Sequence, residues 1–192
     1  TDLTINELSL VYSLTSLVGL SANSGWNLVG LPLDVLDPDY QSVFAALGPQ
    51  QAPFAFDGTY VQESSLTTGK GYWLDAQNGG TQTVEGYDIG TVTLSLNPGW
   101  NLIAGPSCGV PLASADVSNG TLDPSTLYGF DQVYTAATTL EPGAGYWIEA
   151  SAATDVTFSC TDAKRTDLVA ATDASSGHAH LTVRSASGAM QT

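Results

Sequence analysis

The sequence predicts an all-β fold built from two homologous β-sandwich or barrel-like repeats, with extension strands at the N- and C-terminal ends. Three observations predict it. First, a shift of 74 residues superposes Gly25-Trp26-Asn27-Leu28-Val29 on Gly99-Trp100-Asn101-Leu102-Ile103 without a gap. The same shift carries Phe56-Asp57 and Tyr60 onto Phe130-Asp131 and Tyr134, and Gly69-Lys70-Gly71-Tyr72-Trp73-Leu74-Asp75-Ala76 onto Gly143-Ala144-Gly145-Tyr146-Trp147-Ile148-Glu149-Ala150. Second, short β-branched or aromatic runs are punctuated throughout by Gly, Pro, Asn and Asp. Third, few stretches carry a helical period.

The chain divides into an N-terminal segment (1–22), repeat one (23–96), repeat two (97–165) and a C-terminal tail (166–192). In the first segment Leu3 and Ile5 share one parity, and Leu8, Leu10, Tyr12 and Leu14 the other. That pattern fits a long apolar strand whose register shifts at a bulge at Asn6-Glu7. Left at an edge, such a strand adds to another chain, which makes these six residues a candidate assembly strand; pairing with the last strand of its own chain explains the pattern equally. Repeat one reads as strands at 26–31, 53–57, 59–63, 71–76 and 81–85, with counterparts 74 positions on. Asp39 caps the one helix candidate, 39–47, and Gly48-Pro49 stops it. Asp57-Gly58 supplies the positive φ angles of a two-residue hairpin turn, and Gln132 in place of Gly58 predicts a different turn in repeat two. Ile89–Leu96 reads as a further strand. In the tail, 177–184 alternates as a strand that sets His178 and His180 on one face, a solvated face rather than a metal pair, since no third ligand lies nearby.

Composition bounds the partners. The 192 residues are 43% hydrophobic, enough for a packed core. Nineteen acids against 4 bases give a formal charge of −15, which excludes nucleic acid and anionic membrane surfaces because nothing neutralises phosphates. Residues 8–33 lack charge, yet Ser, Thr, Asn, Gly and Pro scattered through them argue against membrane insertion. Thr1 reads as a trimmed or mature N-terminus. Scarce Lys and only two cysteines suit a secreted, extracellular or cell-surface protein.

At the tryptophan blocks the sequence resembles a module of secreted and cell-surface proteins of bacteria and archaea. The likeness spans roughly 23–162: a Gly-Trp-Asn-Leu-x-x-x-Pro opening, with Pro32 or Pro106, an aromatic-Asp-Gly-x-Tyr middle, and a Leu-x-x-Gly-x-Gly-Tyr-Trp close. The resemblance implies a β-rich accessory domain beside adhesion, filament or enzyme domains. The end of the tail, 181–192, resembles the linker to a C-terminal sorting domain, which implies that the natural chain continues. Cys108 and Cys160 occur only in repeat two, opposite Asp34 and Gly86 of repeat one. We read them as one disulfide, worth about 4 kcal/mol in the chain-entropy model.

Chemistry-bearing patterns are sparse. Trp26, Trp73, Trp100 and Trp147 with Tyr72 and Tyr146 have two readings. In the first they are repeat core, with glycines admitting close backbones and Asn bonding a turn. In the second, exposed rings form a platform for glycan, with Asp57, Asp75 and their counterparts accepting hydroxyl bonds. Fixed duplicated register favours the first. Asp34, Asp37 and Asp39 form an oxygen cluster whose candidate cofactor is calcium, though loop solvation and helix capping explain it equally. Asp75 and Glu149 are the obvious carboxylate pair for a glycosidase, but each follows Tyr-Trp-aliphatic as the polar side of an alternating strand. No Gly-x-Ser-x-Gly elbow or dinucleotide motif occurs. The expectation is therefore a non-enzymatic structural or adhesive protein, a homo-oligomer or polymer joined by strand addition in a surface filament or layer. A carbohydrate-binding accessory module is the alternative.

Overall fold

The structure, a computed structural model, describes residues 15–120 and 122–161. They belong to one compact unit, so the two repeats are halves of a single body. The first half contains β1 (Ser16–Ala22), β2 (Gly25–Gly30), α1 (Tyr40–Val43), β3 (Phe54–Phe56), β4 (Tyr60–Gln62), β5 (Gly71–Ala76) and β6 (Gly80–Gly86). The second contains β7 (Thr91–Leu96), β8 (Gly99–Ala104), β9 (Val110–Pro111), β10 (Asp116–Val117), β11 (Tyr128–Asp131), β12 (Val133–Ala136), β13 (Thr139–Leu140), β14 (Gly145–Ala150) and β15 (Thr154–Ser159). The fold is all-β with antiparallel sheets, as the sequence predicts.

Every long pairing recurs 74 residues on. Four-stranded sheets have the orders β2-β5-β3-β4 and β8-β14-β11-β12, and Trp26 pairs Asp75 as Trp100 pairs Glu149. A second layer repeats as well: β1 pairs β6 from Ser16↔Gly86 to Ala22↔Gly80, and β7 pairs β15 from Thr91↔Ser159 to Leu96↔Thr154. This moves the division read from the sequence. Residues 16–22 are the counterpart of β7, and 91–96 pair within the second half rather than closing the first. Their weak side-chain similarity hides the match, because what is repeated is the pairing.

Strand alternation assigns the layers. Along β2 and β5, Val29, Tyr72, Leu74 and Ala76 face a core completed by Leu20 and Val84 of the β1–β6 ribbon and by Val43, Phe44 and Leu47. The second half builds the same core from Ile103, Tyr146, Ile148, Val156 and Phe158. The opposite faces meet each other through Leu28, Leu102 and Trp147. The order of layers is thus ribbon, sheet, sheet, ribbon. Each fully buried aliphatic side chain contributes about 1.5–3 kcal/mol by leaving water.

Local signals hold with two corrections. Asp39 accepts from Gln41 N and caps α1, and Gly48 at φ 59° closes the following 3-10 turn Ala45–Leu47. The predicted single helix is therefore two short turns joined at Phe44. The β3–β4 hairpin has three loop residues, 57–59, with Gly58 at φ 71° and Asp57 N bonding Thr59 O. Gln132 adopts the same left-handed conformation at φ 62°, while the β11–β12 ladder runs one pair farther, to Asp131↔Val133, and leaves Gln132 alone in the loop. Strand pairing on both sides of the turn fixes its geometry and overrides the residue's preference.

The disulfide is present. Cys160, immediately after β15, joins Cys108 in the segment after β8, with Cα atoms 5.9 Å apart. The assembly strand (Leu3, Ile5, Leu8, Leu10, Tyr12 and Leu14) and the tail with His178 and His180 lie outside the described residues.

A candidate aromatic binding site between the two halves

The Gly-Trp-Asn block begins with a backbone problem and solves it with one side chain. Gly25 and Gly99 take φ 95° and 91°, which only glycine adopts at no steric cost. Asn27 is buried, accepts Asn23 N at 2.8 Å, and donates to Asn23 O and Gly25 O at 2.8 Å each. Asn101 makes the same three bonds to Asn97 N, Asn97 O and Gly99 O. The turn so fixed starts β2 with Trp26 on the face that carries Leu28 and Gly30.

The Gly-x-Gly-Tyr-Trp block serves the junction. Gly69 and Gly143 have φ 84° and 80°. A Cβ on Gly71 would lie 2.6 Å from Ile103 O, and one on Gly145 2.7 Å from Val29 O. Gly30 N donates to Gly143 O at 2.9 Å, and Ala104 N to Gly69 O at 2.8 Å. Each contact is the other with the halves exchanged, so the junction is isologous, like a twofold dimer interface inside one chain. The bridge Val29↔Ala144 is antiparallel and β14 is antiparallel to β8, so β2 and β8 run in the same direction. Gly30 and Ala104 therefore touch at one end of the junction, and Trp26 and Trp100 lie at the other.

Side chains grow along this direction: Gly30 opposite Gly71, Leu28 opposite Trp73, Trp26 opposite Asp75. The sheets are pinched at the glycines, and aromatic rings fill the opening. Five rings from each half take part: Trp26, Phe54, Phe56, Tyr60 and Trp73, and Trp100, Tyr128, Phe130, Tyr134 and Trp147. Trp73 meets Phe130 edge-on at 4.9 Å, and Trp147 meets Phe56 at 4.9 Å. Trp26 contacts Phe54 and Trp73 at 6.0 and 6.3 Å, as Trp100 contacts Tyr128 and Trp147 at 6.1 and 6.4 Å. Edge-on pairs of this kind add about 0.5–1.5 kcal/mol beyond burial and fix ring orientation.

The array is not closed. Trp26 and Trp100 are 43% and 44% exposed, Tyr60 and Tyr134 53% and 56%. Trp26, Phe54, Tyr60, Trp73 and Phe130 line a groove of about 420 Å³. The core reading thus fits Tyr72 and Tyr146, while Trp26 and Trp100 sit at the mouth, where the diverging sheets leave them partly uncovered among the described residues. Carboxylates ring the mouth. Asp75 and Glu149 stand across the strand from Trp26 and Trp100, Asn23 Nδ2 holds Asp131 Oδ1 at 2.8 Å, and Asn97 Nδ2 holds Asp57 Oδ1 at 3.3 Å.

Tyr72 and Tyr146 anchor the loops that lead into β5 and β14. Tyr72 Oη accepts Thr67 N at 2.8 Å and donates to Glu63 Oε2 at 3.1 Å; Tyr146 Oη accepts Glu141 N at 3.0 Å. Burial pushes the Tyr72 hydroxyl up to about 12, and the Glu63 carboxylate adds to the rise. Burial also raises Tyr146. Lys70 Nζ meets Glu63 Oε1 at 2.7 Å in the first half; Ala144 and Ala137 replace the pair in the second.

The acidic cluster has local work. Asp37 accepts Ser42 Oγ at 2.6 Å and Asp39 N at 3.1 Å, bonds that hold its carboxyl below the usual range. Asp39 caps α1, and Asp34 exchanges backbone bonds with Tyr87. Among the described residues no three His, Cys, Asp or Glu side chains gather as a metal site, and no helix is long and apolar enough to cross a membrane. No protein-family model matches the chain, and no curated protein or solved structure matches it.

Proposed function

We propose that the chain is a non-enzymatic binding unit of a secreted or cell-surface protein, and that its aromatic mouth holds carbohydrate rings. The observation that carries this reading is the exposure of Trp26, Tyr60, Trp100 and Tyr134 in an array whose other members are packed. Exposed aromatic patches held by a rigid scaffold mark binding surfaces. A ring face accepts the C–H face of a sugar, and Asp75 and Glu149 beside it accept hydroxyl hydrogen bonds. Ring–ring contacts from Phe54 and Trp73 already orient Trp26, so little side-chain freedom is lost on binding. The charge of −15 repels acidic polysaccharides and directs the reading to neutral glycans. The disulfide supports an oxidising compartment.

A glycan array followed by calorimetry tests the proposal. Trp26→Ala is expected to weaken binding of a neutral glycan by about tenfold or more, roughly the worth of one aromatic platform, while the far-UV spectrum stays unchanged. Retention of no glycan, or binding by Trp26→Ala and Tyr60→Ala equal to that of the unsubstituted chain, overturns it. Sugar release that disappears in Asp75→Asn or Glu149→Gln replaces binding by hydrolysis.

A further inference from the structure

The ten rings of the mouth fall into two sets. The groove beside Trp26 is lined by Trp26, Phe54, Tyr60, Trp73 and Phe130, four rings from the first half and one from the second. Exchanging the halves turns these into Trp100, Tyr128, Tyr134, Trp147 and Phe56. The two sets share no ring and together use all ten. Their internal geometry agrees to 0.1 Å: Trp26–Phe54 and Trp100–Tyr128 at 6.0 and 6.1 Å, Trp26–Trp73 and Trp100–Trp147 at 6.3 and 6.4 Å, Trp73–Phe130 and Trp147–Phe56 at 4.9 Å. Among the described residues Trp26 and Trp100 are also exposed alike.

We propose that the mouth is two sites, each taking its own extended β-1,4-linked chain of neutral sugars, so that the protein joins two glycan chains; this rests on the glycan reading above. In such a chain equatorial hydroxyls leave C–H faces for the indoles and put polar edges toward carboxylates such as Asp75 and Glu149. The number of chains follows from symmetry. The isologous junction makes the sites equivalent by a half-turn. The line joining two such sites is perpendicular to the axis, and the half-turn reverses every direction along it. A glycan is directional, with a reducing and a non-reducing end. One straight chain laid across both sites therefore meets one in its preferred sense and the other backwards, whereas two chains related by the half-turn satisfy both. The sites are also fixed relative to each other, since Asn23 holds Asp131 and Asn97 holds Asp57 across the junction at 2.8 and 3.3 Å. The two sites differ in depth: Trp73 stays partly exposed while Trp147 is buried, and Phe54 stands where the second site has Tyr128. The first site is the deeper and the tighter one.

Calorimetric titration of the full chain with the hexasaccharides of β-1,4-linked glucose and xylose tests this. Two molecules per chain are expected for the sugar that binds. Trp26→Ala removes the first site and Trp100→Ala the second, each leaving one molecule per chain with its constant unchanged within about twofold. Tyr60→Ala and Tyr134→Ala, at the more exposed rings, repeat the split if a tryptophan variant does not fold. On the insoluble polymer of the same sugar, Trp26→Ala and Trp100→Ala should each be retained about tenfold less or worse, because holding two chains makes the second contact intramolecular. One hexasaccharide per unsubstituted chain, weakened by both tryptophan variants, means a single site across the mouth; it overturns this inference and leaves the glycan reading standing. Binding of neither hexasaccharide overturns the inference too, and the glycan array decides the reading by itself.

Discussion

Gly71→Ala places a methyl group where the two halves touch through their backbones. The added Cβ would stand 2.6 Å from Ile103 O and 3.0 Å from both Ile103 N and Leu102 Cγ. Ordinary contact begins near 3.4 Å, so the sheets must part by nearly an ångström at their pinched end. Two of the three neighbours are backbone atoms paired in β8, which cannot rotate aside. Overpacking costs about 1–3 kcal/mol, and a rigid backbone neighbour puts this case at the upper end, about 3 kcal/mol. That raises the unfolding constant about a hundredfold and lowers the melting temperature by roughly 6–12 °C. Urea denaturation followed by tryptophan fluorescence is the assay, since all four indoles lie in the junction. Gly145→Ala is the symmetry-related test, its Cβ falling 2.7 and 2.9 Å from Val29 O and N. The double variant should cost less than the sum, because sheets already parted admit the second methyl. The control is Gly129→Ala, whose nearest neighbour is Tyr146 Cε1 at 3.4 Å. If Gly71→Ala costs no more than Gly129→Ala, the halves do not meet as described.

Three further outcomes are expected. Gln132→Gly relieves a left-handed side chain and should stabilise by about 0.5–1 kcal/mol in the same assay, while Gly58→Gln loses a similar amount; no change in either would show that the turn is not held at positive φ. Asn101→Ala strips three bonds from the turn before β8 and should cost about 2–3 kcal/mol, with Asn27→Ala close to it; a loss confined to one half would break their equivalence. The Tyr72 hydroxyl is pushed up to about 12 in the folded chain against 10.0 unfolded, so its contribution is complete below pH 10 and is lost as pH rises toward 12. Stability measured across that window should fall less steeply in Tyr72→Phe, and an identical slope would contradict the burial.

The strands were legible because their residue types and turn signals are local. Asp39 with Gly48-Pro49 marked the helical turns, and the Phe56–Tyr60 run marked the hairpin. What the period left open is which copy a residue touches. Gly71 faces Ile103, a residue that occupies the place of Val29, and a 74-residue repeat reads the same whether contacts fall within a copy or between copies. The exposure of Trp26 was hidden for a related reason. Both faces of β2 are apolar, Leu28 on one and Val29 on the other, so alternation does not say where the covered part of a face ends. Gln132 gave no sign of the positive φ it takes, because neighbouring pairs imposed a conformation that its own preference opposes. That Ser42-Val43 coil in α1 while Asp116-Val117 extend in β10 was hidden too, since neither pair of residue types decides between the two.

Cys160 directly follows β15 near the end of the described residues, and its link back to Cys108 is covalent. Cys108 adjoins Ser107, whose hydroxyl donates to Pro32 O at 2.6 Å and accepts Ile89 N at 2.7 Å. A pull arriving from the C-terminal side is therefore handed to the middle of the body before it loads the first hydrogen bond of β15. The strand cannot peel from that end while the link is intact. Its counterpart β6 runs on into the next half and carries at the same place, instead of a covalent link, the backbone pair of Asp34 and Tyr87. Single-molecule extension through the C-terminus should show a longer contour release and a lower rupture force after reduction; equal traces in both states would mean that β15 never bears the load.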